Sequence, residues 1–405
     1  MYGLVLEGGG AKGSYQVGAY KALQEMGLKF TAVTGTSIGA INGAIIAQGD
    51  WDRAYEVWYD ISLAKVFDVR EEYLAALREF KLDKKGLGYF LERARDILNN
   101  RGLDTTLLKK ILQDNIDETK LRQSGMLFGM VTVSLTDRKP LEVFLEDIPS
   151  GQLVNYLMAS ASLPIFKLEK IADKEYLDGG FYNNLPISLL YSRGYRDLVA
   201  IRTHGLGRIK KVQDPNLQIT YIEPREDLGA LLDFSQEGAR HNLLLGYFDA
   251  QRTFKGLRGM NYYLEPGPTK EDYAQFLLSL GEEAVKSGAR ILGIREGIPQ
   301  QILFDQLVPK ILEILQLQTD NVYEGATLAI CEALAKKLGI DRFKIYTFEQ
   351  YIKLLSIEYQ KSGEIGETRE IIPNLIMYTP FLTQERRQEL LEKVAEALLA
   401  QILKK

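Results

Sequence analysis

Gly35-Thr36-Ser37-Ile38-Gly39 fits the pattern Gly-x-Ser-x-Gly, in which a serine sits on a sharp turn between a strand and a helix. The flanks supply that setting. Residues 30–34 form a short β-branched and aromatic run, and residues 38–48 are small and apolar, as a buried helix requires. Glycines at both ends allow a tight backbone and keep side chains away from the serine hydroxyl. A helix opening directly after Ser37 aims free N–H groups and the positive end of its dipole at any oxyanion formed there. Taken alone, the pentapeptide reads equally well as a Gly/Ser turn without chemistry, because short motifs match by chance. The rest of the chain has to decide.

Working outward, residues 2–6 read as a first strand buried on both faces. Residues 7–13, Glu-Gly-Gly-Gly-Ala-Lys-Gly, follow at once, and a helix runs from Ser14 to Met26 with Val17, Ala19, Tyr20, Leu23 and Met26 on its apolar side. Gly27 is its stop. Strand, turn and helix in alternation predict an α/β layer with a mostly parallel sheet flanked by helices. From residue 51 to about 123 the pattern is helical, with breaks at 68–71, 83–86 and 99–104. Strand signals return at 126–135 and 141–145, joined by a hairpin turn. A helix at 152–160 leads into Ala-Ser-Ala-Ser-Leu-Pro (159–164), and an extended run at 172–177 ends in Asp178-Gly179-Gly180. Residues 198–203 and 217–222 read as further strands. Beyond Pro268 the chain turns Leu-, Glu-, Lys- and Ile-rich with helical periodicity. The expected organisation is therefore an α/β domain over 1–267 and an all-α domain over 268–405.

The glycine cluster admits three readings. Gly8-x-Gly10-x-x-Gly13 satisfies the dinucleotide fingerprint, but no acidic residue ends the second strand to hold a ribose. A phosphate loop needs Gly-Lys before Ser or Thr, whereas the chain has Lys12-Gly13-Ser14. The third reading is an oxyanion hole, in which consecutive glycines turn main-chain N–H groups toward one point at a helix N-terminus. This reading alone also explains a serine turn one strand later. A serine nucleophile needs a base, and Asp178, at a strand end followed by two glycines, is the best candidate. An unperturbed aspartate, with a pKa of about 3.9, is a poor base at neutral pH, so burial has to raise that value.

In this order, GGGAKG (8–13), GTSIG (35–39) and DGG (178–180), with the Ser-Pro block at 159–164, resemble the patatin-like phospholipases. The resemblance covers roughly residues 1–265. It implies a Ser–Asp dyad without a catalytic histidine, acting on acyl esters of lipids. Ser37 would be the nucleophile and Asp178 the base, with an oxyanion hole from the backbone of Gly8, Gly9 and Gly10. Lys12, Gly13, Gly35, Gly39, Gly179 and Gly180 complete the matching motifs. Lys12 reads either as an attractor of an anionic head group or as a solvated lysine at a helix start. No cofactor or metal is expected.

Composition narrows the alternatives. Among 405 residues the net charge is −4, without the polybasic signature of a nucleic-acid binder. Cys331 is the sole cysteine, which excludes an internal disulfide framework and reads as a small core residue. Two histidines, 204 and 241, offer no ligand-spaced pair for zinc. No leader segment and no membrane-spanning run is visible, so the expected setting is cytoplasmic, with peripheral contact at a membrane surface left open. The apolar stretch 372–382 is expected to pack between domains rather than touch a membrane. Two rival functions remain: a Ser37/Asp178/His204 triad, whose chain order is formally satisfied, and a nucleotide-binding or scaffold module using the Gly8–Gly13 loop.

Overall fold

The computed structural model describes residues 2–67, 103–167, 170–171, 173–295, 297–317, 319–362 and 383–404. The stretch 372–382 and the breaks expected at 68–71 and 83–86 lie outside the described residues. The chain divides into two compact units, Met1–Phe254 and Lys255–Lys405.

The first unit is built on an eight-stranded sheet. Its strands are β1 (Tyr2–Leu6), β2 (Phe30–Thr36), β3 (Leu127–Ser134), β4 (Lys139–Phe144), β5 (Lys170–Ile171), β6 (Lys174–Asp178), β7 (Asp197–Ile201) and β8 (Gln218–Ile222). The strands β3-β2-β1-β7-β8 run parallel, and β4, β6 and β5 are antiparallel additions at the β3 side. β1 lies at the centre of the parallel set and is buried from Gly3 to Leu6, which is why its sequence is a continuous apolar run rather than an alternating one. Helix α1 (Gly13–Glu25) follows β1, and α2 (Ile38–Ala47) follows β2. Every residue of α2 is buried, as expected for a helix that is apolar all round.

Its one polar side chain, Asn42, is fully engaged. Asn42 donates to Gly13 O and Gln16 Oε1, each at 2.9 Å, and accepts from Trp58 Nε1 at 3.0 Å. These bonds tie α2 to α1 and to the helix Trp51–Tyr59, so burying the amide costs little. They also fix where both helices begin, and therefore where the two glycine turns point.

Among its described residues the second unit is helical apart from a parallel pair of two-residue strands, Tyr263–Leu264 and Ile345–Tyr346. Tyr262 and Leu264 belong to its core, so this unit starts before the composition change at Pro268. Cys331 is fully buried in that core on the helix Val322–Lys337. Burial raises its thiol pKa well above the usual range, so the side chain acts as a small hydrophobe. Among the described residues no helix is long and apolar enough to cross a membrane.

Candidate active site

Two strand ends meet on one edge of β3. Thr36, the last residue of β2, pairs with Val131. The next β3 residue, Thr132, pairs with Asp178, the last residue of β6. Because β4 also pairs with Thr132, Val133 and Ser134, it must take the other edge. β6 thus continues the edge that β2 vacates at the serine turn. That arrangement brings Asp178 to Ser37 across more than a hundred residues of sequence. A Cβ on Gly179 would overlap Val131 O, so only glycine lets the chain leave β6 this close to β3.

Ser37 carries φ 56° and ψ −126°, a strained conformation for a residue with a Cβ. Gly35 and Gly39 make the turn sterically feasible. A Cβ at Gly35 would overlap the backbone of Gly39, and one at Gly39 would overlap Leu6 O. The main-chain N–H of Ser37 donates to Ser160 Oγ at 2.9 Å, and Ser160 Oγ–H donates to Val131 O at 2.6 Å. Ser160, fully buried at the end of the helix Leu153–Ser160, therefore braces the strained turn against β3.

Ser37 lies against the Asp178 carboxylate and helps to stabilise its charge, and that carboxylate accepts from Gly180 N–H at 2.7 Å. Asp178 is 4% exposed and Ser37 8%. Burial disfavours the carboxylate and pushes the Asp178 pKa up to about 6, while the neighbouring Ser37 and the Gly180 N–H pull the other way. Desolvation wins because these two neighbours do not replace the lost hydration of a charge. The Asp178 carboxyl is thereby shifted toward neutral pH by its surroundings.

The glycine loop faces this pair from β1, and its three N–H groups are not equivalent. Gly8 N–H donates to Asn184 O at 3.0 Å and is thus already engaged. Among the described residues no acceptor meets the N–H groups of Gly9 and Gly10. Gly10 has φ 57°, and the loop is closed by Ala11 N–H donating to Leu231 O at 2.8 Å. Lys12 ends the short 3-10 turn Gly10–Lys12, half-buried, with no ion-pair partner among the described residues.

Three further residues hold the loop, and the sequence did not single them out. Asn184 Nδ2 and Thr203 Oγ1 both donate to Gly8 O, at 3.2 and 2.9 Å. Glu7, fully buried, accepts from Thr203 N–H at 2.8 Å and His204 N–H at 3.1 Å, and pairs with Arg202 at 3.4 Å. A charge buried this deeply has to be satisfied in this way. His204 meets the site through its main chain only. Its side chain is exposed, and among the described residues no bond joins it to Asp178 or Ser37. His241 lies on the helix Gln236–Lys255, 3.7 Å from Glu226.

Ser160→Ala tests the brace. It should lower kcat on a soluble ester by about tenfold to a hundredfold with little change in KM, because a misplaced nucleophile costs rate rather than binding. A variant that changes KM alone would assign Ser160 to substrate contact instead.

Fold and site together define an α/β domain of the serine-elbow class, with a buried carboxylate beside the serine. Residues 4–191 match the family model Patatin-like phospholipase, so the first unit carries a patatin-like phospholipase domain. The resemblance drawn from the three motifs is borne out over that stretch. Lysophospholipase nte1 of Aspergillus terreus is 30% identical over 201 residues, which is 49% of this chain and 12% of that protein. Neuropathy target esterase sws of Drosophila melanogaster is 26% identical over 203 residues, 49% of this chain and 12% of its own. Patatin-like phospholipase domain-containing protein 7 of Mus musculus is 29% identical over 201 residues, 49% of this chain and 13% of its own. The chain thus spans only a small part of these curated relatives. A solved structure, VipD from Legionella pneumophila, aligns over 98% of this chain and 90% of its own at 15% identity, with a TM-score of 0.41.

Proposed function

We propose that this chain is a serine acyl hydrolase that cleaves acyl esters of lipids, phospholipid or lysophospholipid, through a Ser37–Asp178 dyad. The observation that carries the reading is a strained serine set against a buried carboxylate whose pKa is raised to about 6. Ser37 Oγ attacks the ester carbonyl carbon as its proton passes to Asp178. The resulting oxyanion accepts from the N–H groups of Gly9 and Gly10, in a geometry that acts only once charge develops. Collapse expels the alcohol, which takes the proton back from Asp178 and leaves an acyl group on Ser37. Water, deprotonated by Asp178, then releases the fatty acid and restores the serine.

A small apolar cavity of about 40 Å³ lies beside the serine turn, an apolar lining rather than a pocket that already fits an acyl chain. It follows one face of α2 from Ile38, the residue after the nucleophile, through Ile41 to Ile45, with Trp58, Leu108 and Phe234 opposite. Its polar members Asn42 and Asn115 have their side-chain groups bonded elsewhere, so the cavity asks for no polar ligand. Relatives named lysophospholipase support the same substrate class, and a cytoplasmic setting fits the chain's single buried thiol.

The test is covalent labelling by a fluorophosphonate probe together with hydrolysis of a lipid panel. Labelling confined to Ser37, with release of fatty acid from phospholipid or lysophospholipid, is the expected result. An unlabelled, folded chain would return the reading to a binding module. His204→Ala separates dyad from triad. It should keep at least about a tenth of wild-type kcat, whereas a triad histidine is worth roughly 10³-fold or more.

A further inference from the structure

Residues 204–211, between β7 and β8, run as a loop that touches both halves of the site. Gly205 lies so close to Gly8 O that any Cβ there would overlap it. Arg208 N–H donates to Gly180 O at 2.9 Å, and Lys210 N–H donates to Asn183 Oδ1 at 3.3 Å. The loop backbone is thus fixed between the glycine loop and the aspartate turn.

Its side chains point outward. Leu206 is 42% exposed and Ile209 39%, and Phe181, directly after Gly180, is 38% exposed. A single exposed aliphatic residue needs no explanation, but here three large apolar side chains edge one site. Cations are interleaved with them. Arg208 and Lys211 are exposed and have no carboxylate partner among the described residues. Lys210, by contrast, is held by Tyr182 and by Glu142 at 3.5 Å. The whole chain carries −4, so attraction to an anionic surface has to come from a local cluster such as this one. A soluble polyanion would use the cations but leave the apolar tips in water. An anionic bilayer uses both, with apolar side chains entering the acyl boundary and cations at the level of the head groups.

We infer that the 204–211 loop, with Phe181, is the surface on which this domain sits on an anionic lipid bilayer, presenting the Ser37 site to its substrate. The inference rests on the lipid-ester reading above.

The experiment is co-sedimentation of the full chain carrying Ser37→Ala, so that lipid is not consumed. Vesicles are phosphatidylcholine alone or phosphatidylcholine with one-quarter phosphatidylserine. Binding is expected to the phosphatidylserine vesicles, and to weaken as salt is raised. Arg208→Gln with Lys211→Gln should weaken it by about 25-fold, at about fivefold per charge. Leu206→Ser with Ile209→Ser should weaken it by about tenfold or more, and Leu206→Trp should tighten it. The same pairs, placed in the active chain, should leave kcat/KM on a soluble short-chain ester within about twofold, since only side chains beyond the site change. No binding by the parent chain, or equal binding by all variants, overturns the inference. A parent chain inactive on every ester would sink the hydrolase reading instead, while sedimentation would still judge the surface.

Discussion

Ser37→Ala should abolish ester hydrolysis, with kcat falling by roughly 10⁴-fold or more, while the fold stays intact. The size of the effect follows from the mechanism, since without Oγ no acyl-enzyme can form. Asp178 alone is left to activate water that nothing positions. The fold should survive because the turn is braced through the Ser37 main chain and Ser160 rather than through the serine hydroxyl. Alanine must still adopt φ near 56°, but that strain is already present in the wild type. The measurement is kcat on one soluble ester together with circular dichroism and fluorophosphonate labelling. Near wild-type hydrolysis by the folded variant would remove Ser37 from the chemistry altogether. Gly9→Ala and Gly10→Ala are less clean. A Cβ at Gly9 would overlap Thr203 Oγ1 and one at Gly10 would overlap Leu231 O, so both variants shift the loop as well as its donors.

The local part of this architecture was legible because it is written in local pattern. The apolar run of β1, the glycine loop, and the turn between β2 and α2 each lie within a dozen residues, and together they fix a parallel α/β layer. Asp178 was legible as a strand-end carboxylate, but its reach to Ser37 was not. That reach depends on β6 taking the edge of β3 beyond Thr36, a tertiary register that no run of residues encodes. The bond from Gly8 N–H has the same origin, since Asn184 O arrives from a distant segment to accept it. Ser160 lay inside the recognised Ala-Ser-Ala-Ser-Leu-Pro block, yet its role appears only once Val131 O and Ser37 N–H are seen on either side of it. The strand pair Tyr263–Leu264 and Ile345–Tyr346 is two residues long on each side, too short for any periodicity to reveal.

Asp178→Asn should be inactive on esters, with kcat reduced by roughly 10³-fold or more, yet more stable than wild type at neutral pH. Both effects come from one fact: burial raises the carboxyl pKa from 3.8 to about 6. Only the ionised carboxylate accepts the Ser37 proton, so kcat/KM on a soluble ester should rise with pH and reach half its plateau near pH 6. An unperturbed aspartate would place that midpoint near 3.8. The stability effect has the opposite sign. Between the unfolded and folded pKa values the folded chain binds more protons, so stability falls as pH rises through this window. Below about pH 3 both states are protonated and the cost vanishes, at pH 4 it is still small, and above about pH 7 it is fully present. A shift of about two units corresponds to roughly 3 kcal/mol. Asparagine keeps an acceptor for Gly180 N–H and carries no charge, so it removes the cost without losing that bond. Urea unfolding of both proteins at pH 4 and pH 8 checks the claim. The difference should be small at pH 4 and should favour Asp178→Asn by roughly 2–3 kcal/mol at pH 8. A variant less stable than wild type at pH 8, or a wild-type activity midpoint near pH 4, would mean that Asp178 is an ordinary solvated carboxylate whose pKa burial does not raise.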